Sequence, residues 1–160
     1  MIGAGTGGLI GKLLEHGYTD IDAVDISQCA LEQLRSHLGQ HASSVRFSRA
    51  DVRSVVFDTE VDVWHDRAVF HFLLGDSDQA EYAARAAAAV RPGGHLVIGT
   101  FSAQGPEQCS GLPVYRHTRA SLSSVFAPYF HVLDAMECDH ITPWGAHQQF
   151  VHLLMQRCES

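Results

Sequence analysis

The sequence predicts an α/β protein built on a doubly wound, mostly parallel β-sheet with a C-terminal antiparallel hairpin. Short apolar runs, such as IDAVD at 21–25 and HLVIGTF at 95–101, alternate with segments whose apolar residues recur at helical spacing. Repeated strand–helix units of this kind are typical of parallel sheets with right-handed crossovers. Near the end, two β-type runs flank the turn-like ITPWGA at 141–146, which indicates the hairpin.

Boundary residues support the predicted elements. The segment 27–39 predicts a helix that begins after Ser27, a good N-cap residue, and stops at Gly39. An earlier helix is predicted over 8–16, and Gly17 ends it. Further strands are predicted at 44–51, 61–66, 95–101, 129–140 and 147–156, and further helices at 68–74, 76–90 and 118–128.

Length and composition limit the possible functions. The chain has 160 residues, 46% of them hydrophobic and 18% charged, which suits one globular domain. A net charge of −7 with no basic run argues against nucleic acid as a partner. No apolar stretch is long enough to span a bilayer, so no membrane partner is expected.

The cysteines and histidines carry little specific signal. The four cysteines form no CxxC pair, which favours a reducing, cytoplasmic environment over a disulfide framework. The eleven histidines lack the spacing of metal ligands, so no metal site is predicted.

The first feature that indicates a ligand is the glycine-rich segment GAGTGG at 3–8. Gly3, Gly5 and Gly8 satisfy the dinucleotide pattern G-x-G-x-x-G, whereas Gly3, Gly5 and Gly7 satisfy G-x-G-x-G, which suits other adenosine cofactors. Both patterns need an acidic residue at the end of the next strand for the ribose hydroxyls, and Asp25 occupies that position. Alone, the glycines are equally consistent with a plain strand–helix turn.

Later segments favour a cofactor other than a dinucleotide. The chain is too short to add the substrate region that a dehydrogenase normally needs. In RADV, Asp51 follows a predicted strand and is placed to accept a hydrogen bond from an adenine amino group. The alternative for Asp51 is a loop carboxylate that caps a turn.

The order GAGTG, VDIS, ADV, VDVWHDRAVFHFL and RPGGHLVIGTF resembles the class I S-adenosylmethionine-dependent methyltransferases over almost the whole chain. The resemblance implies a Rossmann-like sheet of seven strands in the order 3-2-1-4-5-7-6, with the seventh antiparallel. It also implies S-adenosylmethionine as cofactor and a small-molecule methyl acceptor as partner. The cofactor-binding residues that it implies are Gly3, Gly5, Gly7, Asp25, Ile26, Asp51, Val52 and His65.

The same resemblance places the reaction after the family's fourth strand, at residues 65–68. A base helps if the acceptor must lose a proton, and the candidate catalytic residues are Asp66 and His65. Arg67 is expected to bind substrate, either alone or in a pair with Asp66, although a plain surface ion pair is the simpler interpretation of Asp66 and Arg67. His71 is expected to be structural.

A Gly- and Pro-containing loop at 102–114 follows the predicted strand at 95–101 and suits an acceptor site. Cys109 and Tyr115 are the substrate-binding candidates from this region; the alternative is a loop folded on itself. Resemblance to thiopurine and thiol methyltransferases suggests a thiol or selenol acceptor. The open alternatives are a protein lysine methyltransferase, since D-R-A at 66–68 is similar to a D-K-G signature, and a degenerate, non-catalytic cofactor-binding domain.

One departure from the family pattern lies at the start of the chain. Met1 stands at the position of the usual acidic residue and Ile2 at that of the small apolar residue before the first glycine. We therefore expect residues 1–160 to form a single methyltransferase domain that lacks the usual N-terminal cap and most of the family's first strand.

Overall fold

The computed structural model describes residues 1–142 and 144–159 of the chain. Its backbone divides into two compact units, Met1–Val55 and the remainder from Val56 onward. Both units contain β-strands and helices, so the α/β class is confirmed. The predicted turn at 141–146 includes Pro143, which lies outside the described residues.

The first unit contains a pair of parallel strands, β1 (Ile21–Asp25) and β2 (Val45–Arg49). Around them lie α1 (Leu9–Glu15), α2 (Gln28–Leu38) and a 3₁₀ helix, Gly39–Ser44. The expected first strand is represented by Ile2, which forms an isolated parallel bridge with Val24. The unit has its own apolar core, made of Ala4, Ile10, Ile21, Ala23, Leu31, Leu34 and Val45.

The boundaries of α2 follow the predicted signals. The Ser27 side chain accepts a hydrogen bond from the Ala30 backbone N–H at 3.2 Å, which satisfies a donor that the first helical turn leaves free. Gly39 ends the helix with φ of 53°, a conformation that glycine adopts without the Cβ clash of other residues.

The second unit contains a four-stranded sheet in the order β3-β4-β8-β7. These strands are β3 (Val61–Arg67), β4 (Val90–Phe101), β7 (Phe130–Ile141) and β8 (His147–Arg157). The order corresponds to positions four, five, seven and six of the family sheet. β3 and β4 are parallel, but β4–β8 and β8–β7 are antiparallel, so this sheet is mixed rather than mostly parallel as predicted.

Helices cover one face of this sheet. On that face Trp64 of β3 contacts Tyr82 of α3 (Asp76–Ala89), and Tyr82 contacts Phe126 of α4 (Arg119–Phe126). Alternate residues of the strands point to the other side, which we call the open face because Val63 is 49% and Met136 58% exposed. The open face includes Val63, His65, Arg67, His95, Val97, Gly99, Phe150, His152, Leu154, Asp134, Met136 and Cys138.

Short elements complete the second unit. A 3₁₀ helix, Phe70–Phe72, follows β3, and the loop after β4 contains a small antiparallel pair, β5 (Gln108–Cys109) and β6 (Leu112–Pro113). Within the described part of the chain, the helices are too short or too polar to cross a membrane.

Candidate active site

The glycine loop adopts a backbone shape that requires glycine at two positions. Gly3 has φ of 59° and Gly5 φ of 54°, in the left-handed region that other residues enter only at a cost. Gly7 is different: a Cβ placed there would have no atom within 4 Å, so space lies open beside it. The loop therefore offers both an obligatory tight turn and a side on which a ligand can approach the backbone.

Asp25, the last residue of β1, is fixed against this loop. Its Oδ2 atom accepts a hydrogen bond from the Gly5 backbone N–H at 2.9 Å, and its Oδ1 atom accepts one from the Ser27 N–H at 2.8 Å. A carboxylate has about four acceptor sites, so each oxygen can still accept a bond from a hydroxyl group. The predicted partners Gly5 and Asp25 thus lie together.

The other first-unit candidates lie near the ends of the same two strands. Asp51 follows β2, and its carboxylate already binds its neighbour Arg53, which donates from the backbone N–H at 2.9 Å and from Nη2 at 2.6 Å. These hydrogen bonds from Arg53 hold the pKa of Asp51 below its usual value. The Val52 side chain is buried, whereas Ile26 is 68% exposed and is available to cover a flat apolar group.

These features fit an adenosine cofactor bearing ribose hydroxyls. The loop backbone has open space at Gly7, and the Asp25 carboxylate is oriented by two N–H groups and still has acceptor capacity. Ile26 adds an exposed apolar surface directly after the carboxylate. We therefore retain S-adenosylmethionine as the group that the first unit is built to hold.

Residues 65–67 all belong to β3, which extends one residue beyond the predicted strand at 61–66, and this changes the predicted chemistry. Successive side chains of a strand point to opposite faces, so Asp66 lies on the helix-covered face while His65 and Arg67 lie on the open face. The predicted Asp66–Arg67 pair therefore does not form.

Asp66 lies in a closed hydrogen-bond network. Its side chain has no exposed surface; it accepts hydrogen bonds from the Tyr82 hydroxyl and from the Val69 N–H, the latter at 3.0 Å. Trp64 Nε1 donates in turn to the Tyr82 oxygen at 3.0 Å. Burial raises the pKa of Asp66 to about 6 against the opposing effect of these donors. This setting does not support the predicted role of Asp66 as a base that contacts substrate.

The network also explains the backbone that follows β3. Ala68 has φ of 68°, unusual for a residue with a Cβ, and the Asp66 carboxylate accepts from the Val69 N–H immediately after it. Asp66 therefore stabilises the sharp turn between β3 and the Phe70–Phe72 helix. Trp64 and Phe70, which flank this turn, are buried core residues.

His65 and Arg67 share the open face but differ in their surroundings. Burial is the main cause that lowers the pKa of His65 to about 4, and the Arg67 charge adds to it, so the imidazole is neutral at pH 7. The Nδ1 atom of His65 is buried and has no hydrogen-bond partner among the described residues. The Arg67 guanidinium lies over the Phe150 ring, 5.1 Å from its centroid.

The loop candidates occupy separate positions in the second unit. Cys109 is half-buried in β5, where it pairs with Leu112. Tyr115 is 38% exposed, and its ring packs on His117 with centroids 4.6 Å apart. The Tyr115 N–H donates to the His71 carbonyl at 2.7 Å, which ties this loop to the segment after β3.

His71 is fully buried, as expected for a structural residue. However, neither ring nitrogen has a hydrogen-bond partner among the residues described. Burial and the nearby His117 lower the pKa of His71 to about 4, and burial lowers that of His117 similarly. Both rings therefore act as neutral, largely apolar groups.

Sequence reasoning missed three open-face residues. His152 lies over Gly99, and Cys138 Sγ is 3.6 Å from the His152 Nδ1 atom. They come from β8, β4 and β7, so only the strand register brings them together. The only sequence signal was that each of these residues lies in a predicted strand. That signal does not specify which residues face each other on neighbouring strands.

Comparison with known proteins identifies the class that this fold and site define. The family described as "Methyltransferase domain" matches residues 1–94. The chain belongs to this family, which confirms the resemblance to class I S-adenosylmethionine-dependent methyltransferases. The predicted cofactor, S-adenosylmethionine, is confirmed with it.

One curated relative is similar to part of the chain. Malonyl-[acyl-carrier protein] O-methyltransferase of Brevibacillus brevis is 33% identical over 104 residues, which cover 62% of this chain but only 36% of that protein. The chain thus spans about a third of the length of this curated relative.

Solved structures support the fold. A methyltransferase from Methanosarcina mazei superposes with a TM-score of 0.81 at 15% identity, covering 99% of this chain and 91% of its own. The 1,6-didemethyltoxoflavin-N1-methyltransferase of Burkholderia thailandensis gives a TM-score of 0.79 at 23% identity, with 99% and 69% covered. The α/β Rossmann-like methyltransferase fold is therefore shown.

Proposed function

We propose that this chain transfers a methyl group from S-adenosylmethionine to a nucleophile on a small molecule, by in-line displacement. The carrying observation is the contact between the glycine loop and Asp25: a hydrogen bond of 2.9 Å joins the Gly5 N–H to a carboxylate at the end of β1. When bound, the cofactor supplies an activated methyl group on a sulfonium. The protein's task is then to align the acceptor and exclude water.

Separate groups of residues are assigned to the two parts of this task. We assign cofactor binding to Gly3, Gly5, Gly7, Asp25 and Ile26, with Asp51, Val52 and His65 as further candidates. Asp51 has to share its carboxylate with Arg53 to accept from an adenine amino group. We assign acceptor binding to Arg67, with Cys109 and Tyr115 as candidates from the loop after β4.

The acceptor remains a small-molecule nucleophile, with a thiol or selenol as one proposed class. The relatives favour a wider search, because one is a malonyl-[acyl-carrier protein] O-methyltransferase and another is an N1-methyltransferase. A protein lysine acceptor and a non-catalytic cofactor-binding domain are the alternatives that the experiment must separate. The proposal also treats residues 1–160 as one functional domain.

Cofactor binding is tested by thermal unfolding with S-adenosylmethionine, S-adenosylhomocysteine, NAD and NADP. A ligand present at about 100 times its Kd adds about 2.7 kcal/mol to the free energy of unfolding. We expect the two adenosyl ligands alone to raise the midpoint. Stabilisation by NAD only, or by none of the four, contradicts the proposal.

Catalysis is tested separately by measuring S-adenosylhomocysteine formation over a panel of thiols, selenols, hydroxyls, amines, carboxylates and lysine-containing peptides. Product with a small molecule supports the proposal. Product with peptides alone favours the lysine alternative, and binding without product from any acceptor favours a non-catalytic domain. Asp25→Ala is the matched negative variant, and Asp20→Ala, on an exposed aspartate outside the loop, is the control.

A further inference from the structure

The open face carries a cluster of polar side chains near the carboxyl end of β3. In the strand register, Arg67 lies opposite Gly99, Gly99 opposite His152, and His152 opposite Met136. Residues directly opposite each other on neighbouring strands project to the same face. Arg67 and His152 therefore project from the same face, on either side of a glycine.

Gly99 makes room for the His152 imidazole. A Cβ at residue 99 would lie 2.5 Å from Cδ2 and 2.6 Å from Nε2 of His152. Those are distances that non-bonded atoms do not tolerate, so the ring lies across β4 only because residue 99 has no side chain. This places the Nε2 edge over β4, with Arg67 on the next strand.

The opposite edge of the same ring contacts a thiol. His152 Nδ1 is 3.6 Å from Cys138 Sγ, within hydrogen-bond reach for sulfur. The ring also stacks on Phe150, with centroids 5.6 Å apart and planes 28° apart. Three contacts therefore fix the orientation of the imidazole: Gly99 lies below the ring, the Cys138 thiol lies at one edge, and the Phe150 ring stacks on it.

The local charge is positive. Burial and the Arg67 charge lower the pKa of His152, so its imidazole is neutral at pH 7. The groups that face it are Arg67 and His65 from β3 and Cys138 from β7; β4 contributes only Gly99. Among the described residues no carboxylate forms an ion pair with Arg67, and the nearest acidic position on this face, Asp134, is on the outer strand β7.

A positive charge beside Nε2 favours the tautomer that directs a lone pair toward it. In that tautomer the Nδ1–H group donates to Cys138 Sγ and Nε2 is free to accept a proton. Among the residues that the structure describes, no hydrogen bond to Nε2 is formed. A half-buried base and an exposed cation thus project from the same face, across Gly99.

We infer that His152 and Arg67 form a subsite for an acidic methyl acceptor, a hydroxyl or thiol, in which Nε2 of His152 takes the acceptor's proton and Arg67 stabilises the anion. This inference rests on the proposed function. The acceptor's O–H or S–H bond breaks, and its proton passes to His152 and then to solvent. When bound, S-adenosylmethionine would supply the methyl group to this anion and keep the sulfur electron pair as S-adenosylhomocysteine. Cys138 and Gly99 are positioning residues, since they act through His152.

The test measures proton transfer without needing the natural acceptor. 4-Nitrophenol and 4-nitrothiophenol serve as probes, because their anions absorb visible light and their neutral forms do not. The absorbance of each probe is measured as a function of pH with saturating protein and S-adenosylhomocysteine present. This titration gives the apparent pKa of the bound probe. We expect the wild-type protein to lower it by about one unit, a tenfold change in the ratio of anion to acid.

Variants assign the effect to particular atoms. His152→Gln and Arg67→Met should each remove most of the shift, and Gly99→Ala should do so by displacing the ring. His95→Gln is the matched control, because His95 lies on the same face of β4, four residues before Gly99, and the variant should retain the full shift. Nitrogen NMR of the histidine rings should show the Nδ1–H tautomer for His152 in the wild type, and Cys138→Ser should preserve it whereas Cys138→Ala should not.

The outcomes separate this inference from the proposed function. Absence of a shift in the wild-type protein overturns the subsite, as does an equal shift in the wild type and both His152→Gln and Arg67→Met. Failure of the wild type to bind S-adenosylhomocysteine overturns the proposed function instead, and a probe shift that persists then contradicts the acceptor role. Each variant's thermal midpoint with and without S-adenosylhomocysteine shows whether it is folded.

Discussion

The Tyr82 hydroxyl donates a hydrogen bond to the Asp66 carboxylate, and both side chains are fully buried. A buried ionised group is costly unless it is hydrogen-bonded, so Tyr82 is the main side-chain group that makes this position of Asp66 tolerable. The same oxygen of Tyr82 accepts from Trp64 Nε1 at 3.0 Å. One hydroxyl therefore satisfies two other buried polar groups.

Removing that hydroxyl should destabilise the fold while keeping its shape. Tyr82→Phe leaves the Asp66 carboxylate and the Trp64 N–H each without a partner, at a cost of about 1–3 kcal/mol for each. We expect the free energy of unfolding in urea at pH 7 to fall by about that amount or more. Tyr18→Phe is the control, since Tyr18 is 59% exposed; an equal loss in both variants contradicts the network.

The Asp66 carboxyl should also make stability depend on pH. Its folded pKa is raised to about 6 from 3.8, so the native state holds the proton more tightly than the unfolded chain. The sign follows: this contribution is fully present below about pH 4 and is lost as the pH rises through about 6. Asp66→Asn removes that dependence. Relative to the wild type, the variant should gain about 1 kcal/mol between pH 5 and pH 7 in urea unfolding; a constant difference contradicts the raised pKa.

The local elements were predictable because their signals lie in adjacent residues. Ser27 caps α2 and Gly39 ends it, as predicted, since both roles depend on the residue's own side chain and backbone freedom. Asp25 was placed beside the glycine loop by the rule for parallel strands, and it binds Gly5. Predictions of this kind need only neighbouring residues and the order of the strands and helices along the chain.

The burial of Asp66 and the contacts of His152 could not be predicted, because they depend on how separate strands and helices pack together. β3 continues one residue beyond the predicted strand, through Arg67. The prediction already included Asp66 in the strand, but the alternation of side chains does not tell which of the two faces a helix covers. Asp66 was therefore assigned to chemistry although it is buried beneath α3. Likewise, His152 meets Gly99 and Cys138 only through the registers of three strands.

Two glycines of the loop should respond differently to the same substitution. Gly5→Ala forces a Cβ into φ of 54°, which costs roughly 1–2 kcal/mol and should lower the free energy of unfolding by that amount. Gly7→Ala should leave the free energy of unfolding unchanged, because Gly7 has no left-handed φ and a Cβ there would meet no atom within 4 Å. Gly7→Ala should instead weaken binding of S-adenosylhomocysteine in calorimetry by filling the ligand's approach. Unchanged affinity in Gly7→Ala contradicts the proposed approach to the loop.

Asp25 should matter more for the cofactor than for the fold. Asp25→Ala removes the acceptor for the Gly5 and Ser27 N–H groups and for the ribose hydroxyls. Hydrogen bonds to a charged group contribute about 1.5–3 kcal/mol each, so the Kd for S-adenosylhomocysteine should rise at least tenfold. Asp25→Asn, which keeps one acceptor oxygen, should give an intermediate value by calorimetry. Wild-type affinity in Asp25→Ala contradicts the assignment of the ribose site.

His71 should limit the stability of the protein in acid. Its folded pKa is about 4, below the usual 6.5, so the neutral ring's contribution is present above pH 6.5 and is lost as the pH falls through about 4. His71→Phe keeps a planar ring and removes two buried nitrogens that lack partners among the described residues. Replacing such groups by an apolar ring of similar shape is nearly neutral or stabilising, so little change is expected at pH 7. At pH 4.5 the variant should be more stable than the wild type by about 2 kcal/mol in urea unfolding. The exposed His41→Phe should show no such gain, and an equal acid response of His71→Phe and the wild type would mean that His71 titrates normally.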